Sequence, residues 1–128
     1  MDNEVKSFTD LEVWKSAREL RKEIYKIVKN LPEIEKFGLN TQMCRAAVSV
    51  TANIAEGYGR FHFKETVQFA RHARGSVYEL HDHLITCIDQ NYIEESVFEE
   101  IVKSWIEKTI QLLNGYIRYL NKANTNKK

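Results

Sequence analysis

Apolar residues along this chain recur at alternating steps of three and four, and the rhythm breaks at Pro32, at Gly57–Gly59 and near Asn91. Such a rhythm marks amphipathic helices. Val13, Ala17, Leu20, Ile24, Ile27 and Leu31 form one stripe, which Leu11, Trp14, Tyr25 and Val28 widen. Thr9 with Glu12 three residues on has capping-box spacing, so a first helix is expected from near Asp10. Pro32 stops it, and residues 32–39 read as a loop. A second helix is expected from Asn40 or Thr41 to Glu56, ended by Gly57 and Gly59. Met43, Ala46, Ala47, Val48, Val50, Ala52, Ile54 and Ala55 wrap most of its circumference, the pattern of a helix buried on several sides.

A third helix is expected over Phe63–Asp89. Phe63, Thr66, Ala70, Ala73, Val77, Leu80, Leu84 and Cys87 keep the alternation, while Lys64, Gln68, Arg71, Glu79, Asp82 and Asp89 lie opposite. Asn91 marks a short turn. A fourth helix is expected to start near Ser96, where Ser96 and Glu99 repeat the capping spacing. Its main seam is Phe98, Val102, Trp105, Thr109, Leu112, Tyr116, Tyr119 and Ala123. A second row, Ile106, Ile110, Leu113 and Ile117, sits beside it, and together the rows exceed the stripe that one bundle core needs. That second row is therefore assigned to a subunit interface. Four long helices on short links predict an all-α fold, an antiparallel up-down-up-down four-helix bundle.

Length, charge and cysteine usage change this picture little. The 128 residues fit one domain spanning 1–128, with an ordered core of about 8–122 and a frayed basic tail over 123–128. Net charge is +1, from 19 basic and 18 acidic residues, which is no overall footprint for nucleic acid. Basic residues still cluster locally: Lys15, Arg18, Arg21, Lys22, Lys26 and Lys29 on the first helix, interrupted by Glu12, Glu19 and Glu23, with Arg60 and Lys64 at a bundle end. Cys44 and Cys87 read as reduced core thiols. No stretch approaches the roughly 18 apolar residues of a membrane span, and the opening MDNEVKSF lacks a signal-peptide apolar core, so a cytoplasmic location is expected.

Recognisable catalytic or metal-binding signatures are sparse. Di-iron bundles use Glu-x-x-His, which does not occur here. Glu79 and His83 share a helix face, but two ligands do not make a metal site. The Gly57-Tyr58-Gly59-Arg60 run follows a helix, so it fits a helix end better than a phosphate cradle. No cofactor or metal is expected. Arg74 and His81, two turns apart on one face, have the spacing found in HEPN-type ribonucleases, where a histidine moves protons and an arginine holds phosphate. The spacing is loose and recurs by chance, and a partly buried pair that hydrogen-bonds neighbouring helices is the better account of it. Gln42, Arg45, Ser49, Asn53 and Glu56 fall within about 80° of arc and form a narrow polar seam on the second helix. Arg45 and Glu56 need partners inside the fold, across a subunit boundary or on a ligand.

Several motifs in order carry a family resemblance. Phe8-Thr9-Asp10-Leu11-Glu12-Val13-Trp14-Lys15-Ser16-Ala17 resembles the F-x-D-L-x-V-W-x-x-A opening of the 23S rRNA intervening-sequence protein family. Leu31-Pro32 with Phe37-Gly38-Leu39 is similar to its loop, although Phe commonly stands where this chain has Leu31. Gln42, Arg45-Ala46-Ala47-Val48-Ser49-Val50 and Ala52-Asn53-Ile54-Ala55-Glu56-Gly57 resemble its most distinctive stretch. Lys64-Glu65, Phe69, Ala73-Arg74-Gly75-Ser76 and Glu79-Leu80 resemble its third-helix pattern. The resemblance covers residues 8 to about 120. It implies an up-down bundle assembling as a ring-like homopentamer, with no enzymatic activity. It also implies that the polar seam fixes helix register or a subunit contact, and that Gly75 marks a close helix approach. The accessory proteins of diversity-generating retroelements have a similar fold and bind nucleic acid.

Three roles follow as expectations. The first is a non-enzymatic oligomeric scaffold binding RNA or other nucleic acid through basic residues, among them Arg60 and Lys64. The second is a protein-interaction module that docks a protein partner without nucleic acid. The third is the ribonuclease built on Arg74 and His81.

Overall fold

A computed structural model describes residues 4–126. Helix α1 spans Glu12–Val28, α2 Leu39–Tyr58, α3 Phe63–Asp89, α4 Glu95–Ile101 and α5 Glu107–Asn126. Val102–Ile106 forms a π-turn flanked by helical backbone angles, so α4 and α5 make one continuous fourth rod. No strand occurs among the described residues. The chain is all-α, built from four rods, as its periodicity predicts.

The rods close into a ring: α1 packs on α2, α2 on α3, α3 on α5, and α5 on α1. Helices α2 and α3 run antiparallel. Between α2 and α3, side-chain links join Gly57 to Thr66, Ser49 to Ser76 and Arg45 to Glu79, one number falling as the other rises. Chain reach requires this arrangement. The four residues 59–62 span at most about 14 Å, half the roughly 30 Å length of a 20-residue helix. At the far end of α3, Asn91 takes φ 60°, and its N–H and that of Tyr92 donate to the carbonyls of Ile88 and Cys87. That is a Schellman stop, with asparagine tolerating the left-handed position.

Leu20, Ile24, Met43, Ile54, Leu80, Leu84, Ile106 and Leu113 fill the centre and are fully buried. Cys87 lies among them with Sγ 3.9 Å from Met43 Sδ, and burial pushes its thiol pKa up to about 11. One buried polar pair crosses the core edge, Ser16 Oγ and Thr109 Oγ1 at 2.7 Å.

The helix ends depart from the sequence pattern. The first cap is not Thr9 with Glu12. Ser7 instead caps a 3-10 turn, Phe8–Asp10, and the Asp10 carboxylate accepts the Ser7 N–H. Leu11 is then extended, which separates this turn from α1. Ser96 likewise falls inside the first turn of α4, after Glu94 as N-cap. Gly57 does not end α2, which continues to Tyr58, and Gly59 has an ordinary right-handed φ of −79°.

Gly57 has a different task. A Cβ there would lie 2.7 Å from Phe69 Cβ and 3.3 Å from the Thr66 carbonyl oxygen. It is the close approach of α2 and α3 that requires glycine. Gly75, expected to mark such an approach, faces open space with nothing within 4 Å of its would-be Cβ. The tail also departs from expectation: α5 runs on to Asn126, with Ala123 and Asn124 half-buried, so 123–126 are helical. Residues 127 and 128 lie outside the described residues.

The largest correction concerns the fourth rod. Ile106 is 2% exposed, Leu113 0% and Ile117 7%, and Ile110 packs against the same core. The row assigned to a subunit interface is the inner seam of this chain's own bundle. The physical reason is the π-turn. Buried positions run Ile101, Ile106, Thr109, Leu113, Ile117 and Leu120, with a step of five where the π-turn lies. One extra residue per turn rotates the helix phase, so the core moves from one apolar row to the other. Two rows read with one α-helical period look like surplus apolar surface.

Candidate nucleic-acid interface

The polar seam of α2 is an intramolecular zip along α3. Arg45 Nη2 donates to Glu79 Oε2 at 2.6 Å and to Gln42 Oε1 at 2.7 Å. Glu79 also meets His83 Nε2 at 3.0 Å. Ser76 Oγ donates to Ser49 Oγ at 2.9 Å, and Asn53 Nδ2 donates to Ser49 at its carbonyl and its hydroxyl. Glu56 pairs with Arg60 at 2.8 Å, and the Arg60 guanidinium lies over the Phe69 ring at 4.7 Å. The seam is half-buried to exposed, so Arg45 and Glu56 meet their partners at the edge of the core. Register is what it fixes: the Ser49–Ser76 and Arg45–Glu79 links sit one turn apart on both helices only in this pairing of α2 and α3.

Arg74 and His81 both sit where α3 meets the fourth rod, half-buried. Arg74 Nη1 donates to Asn114 Oδ1 at 2.7 Å, and the His81 ring packs 6.3 Å from the Phe98 ring. Each is engaged by a different neighbour on the fourth rod. Neither lines the clefts described next.

The surface of α1 divides into three sectors. At about 100° per residue, the buried positions Val13, Ser16, Ala17, Leu20, Ile24, Ile27 and Val28 fill an arc of about 120°. Arg21, Arg18, Lys29, Lys22, Lys15 and Lys26 follow in order around a further arc of about 140°. Glu19, Glu12 and Glu23 occupy the remaining edge, beside the fourth rod. The acids thus do not interrupt the basic residues, as their place in the sequence implies; they border them. They pair with Lys15, Lys22 and Lys26 through exposed i,i+3 contacts of 2.9–3.4 Å. Such exposed pairs contribute about 0–1 kcal/mol each and leave the cations open to another anion.

The opposite edge of the basic sector adjoins α2, where Arg21 Nη1 donates to Thr51 Oγ1 at 2.8 Å. Arg21, Lys22, Tyr25, Lys26, Lys29 and Val48 enclose an open groove of about 550 Å³. Tyr25 and Val48 are placed in the core stripes by sequence periodicity; they are 38% and 44% exposed. About 40° past Arg21 on the same wheel, Tyr25 falls inside the basic sector, a signal already present in the sequence. Ala52 is exposed on the same outer side of α2, so this helix is not buried all round.

Arg60 and Lys64 do not join this groove. Arg60 lines a cleft of about 320 Å³ at the end of the bundle with Leu11, Tyr58, Phe63, Tyr116 and Tyr119. Burial, with Tyr58 and Tyr119 nearby, pushes Tyr116 up to a pKa of about 12. Lys64 lines a separate shallow groove with Glu65, Gln68 and Arg71. Among the described residues no helix is long and apolar enough to cross a membrane, and no group of three or more histidines, cysteines and carboxylates is placed to hold a metal ion.

An all-helical ring of four rods, register-locked by a polar seam and carrying a basic groove on its first helix, defines a class of small helical bundle proteins. Within that class the chain belongs to the 23S rRNA-intervening sequence protein family, whose model matches residues 9–115. The family's description names a genetic setting and no chemistry. Comparison with curated proteins finds no match.

Proposed function

We propose that this protein is a non-catalytic, homo-oligomeric scaffold that binds RNA or another nucleic acid through α1. The observation that carries the reading is the sorting of charge around α1. Six cations form an unbroken sector beside a groove whose lining includes no acid. A chain with net charge +1 gains no general attraction to polyanions, so its binding is local to this face. The ribonuclease reading has less support, because the Arg74 guanidinium is held by Asn114.

The number of copies follows the resemblance, which points to five. Because the inner row of the fourth rod is core, assembly uses another surface. Tyr78 and Ile85, two turns apart on the outer face of α3, are both exposed and supply apolar area for it. Sedimentation of the purified chain is expected to show a species well above 15.0 kDa. Changing Tyr78 and Ile85 together to glutamate is expected to dissociate it, and an unaltered assembly would exclude that face.

Binding is tested by fluorescence anisotropy with a labelled RNA of mixed sequence across a salt series. Affinity is expected to fall steeply with salt, since each neutralised phosphate releases counterions. Lys22→Ala with Lys26→Ala is expected to flatten that slope. A salt-independent response, or no binding at low salt, overturns the proposal.

A further inference from the structure

We infer that the α1–α2 groove takes a single strand in preference to a duplex. This rests on the nucleic-acid reading above and names its substrate class.

Tyr25 is the key group. It stands within the basic sector, one turn from Arg21 and from Lys29, and lines the groove with both. Among the described residues its side chain makes no hydrogen bond, ion pair or ring contact, and 38% of the residue is exposed. The other aromatic of the sector, Trp14, is already covered: Phe8 packs edge-on at 5.4 Å and the Arg18 guanidinium lies over its ring at 5.8 Å. Tyr25 therefore offers an uncovered ring amid cations.

A duplex presents phosphates outward and keeps its base faces stacked inside. It could meet the lysines and arginines, but would leave the Tyr25 ring and the apolar Val48 wall facing its charged backbone. A single strand brings both chemistries to one place, phosphates to the cations and a base face to the ring. The α2 wall opposes neither. Its outward side near α1 carries Thr41, Cys44, Val48 and Ala52, and the acid of α2, Glu56, is turned to Arg60 on the α3 side. From Lys15 to Lys29 the sector runs about 21 Å along the helix, long enough to hold several nucleotides of an extended strand.

The test uses the whole chain and three labelled probes of twelve residues at one ionic strength: oligouridine, oligothymidine, and a blunt duplex. Both single strands are expected to bind about tenfold or more tightly than the duplex. Tyr25→Ala is expected to remove that advantage while leaving duplex affinity unchanged, and Tyr25→Phe to retain it. Circular dichroism of both variants is expected to match the parent, because the side chain is partly exposed. Equal affinity for single strand and duplex overturns this inference and leaves the nucleic-acid reading standing. So does unchanged single-strand binding by Tyr25→Ala. Failure of all three probes to bind overturns both.

Discussion

Replacing Gly57 by alanine tests the packing of α2 on α3 most directly. Alanine in a helix interior is ordinarily favoured over glycine by about 1 kcal/mol. At Gly57 the added methyl would sit 2.7 Å from Phe69 Cβ and 3.3 Å from the Thr66 carbonyl oxygen. Neither atom can swing away, since one is a backbone atom and the other is fixed to it. The helices must part locally, which strains the Thr66 Oγ1–Gly57 carbonyl hydrogen bond of 2.9 Å. Overpacking of this kind costs about 1–3 kcal/mol. With the propensity gain subtracted, Gly57→Ala is expected to destabilise by roughly 0–2 kcal/mol. Gly75→Ala and Gly115→Ala supply the contrast. Gly75 has nothing within 4 Å and Gly115 only the Arg118 guanidinium at 3.7 Å, so both are expected to stabilise by about 0.5–1 kcal/mol. Urea unfolding followed by far-UV circular dichroism, at one chain concentration, measures all three. If Gly57→Ala stabilises as the other two do, the close approach of these helices is wrong.

Three further expectations follow. Ser16→Ala strands the buried Thr109 hydroxyl and should cost about 1–3 kcal/mol, whereas Ser16→Ala with Thr109→Val should cost less than the sum of the single changes; an additive double-mutant cycle would remove the 2.7 Å bond from the account. Ile106→Ala should destabilise the chain by about 2–4 kcal/mol through a core cavity; a change in assembly mass with stability intact would restore that row to an interface. Burial raises the folded-state pKa of Cys87 from 9.0 to about 11 and that of Tyr116 from 10.0 to about 12, so the fold favours their protonated forms. Their contribution is complete below about pH 9 and is lost as pH climbs through 11 to 12, so melting temperature should decline across that window, less steeply in Cys87→Ala.

What the sequence discloses depends on the kind of order involved. The stripe of α3 is legible because its period is unbroken: seven of the eight seam residues are buried, and Phe63 packs against them. The fourth rod is only half legible. Side-chain identity carries no mark of the π-turn, so Trp105 and Ile106 compete for one core position and the loser looks like surplus. Glycine is similarly mute. Gly57 and Gly75 both lie within helices, and their identity as glycine does not disclose which of them a neighbouring helix approaches. The polar seam is visible as a narrow arc, but its partners Ser76 and Glu79 lie on another helix and emerge only once the register is known. The basic sector of α1 is present on a helical wheel, while linear order, in which glutamates alternate with lysines, hides it.

The π-turn also makes the fourth rod unusually forgiving of one kind of change. Loss of a residue inside an ordinary helix turns everything downstream by about 100° and pulls its buried side chains outward. Deleting the exposed Lys103 would do the reverse. The five-residue step from Ile101 to Ile106 would shrink to four, and Thr109, Leu113 and Ile117 would keep facing inward on a regular spiral. A chain shortened there should fold with its interior intact, while the same excision in the middle of α3 should not. The bundle thus carries one spare residue, stored where its removal leaves the rest of the molecule in place.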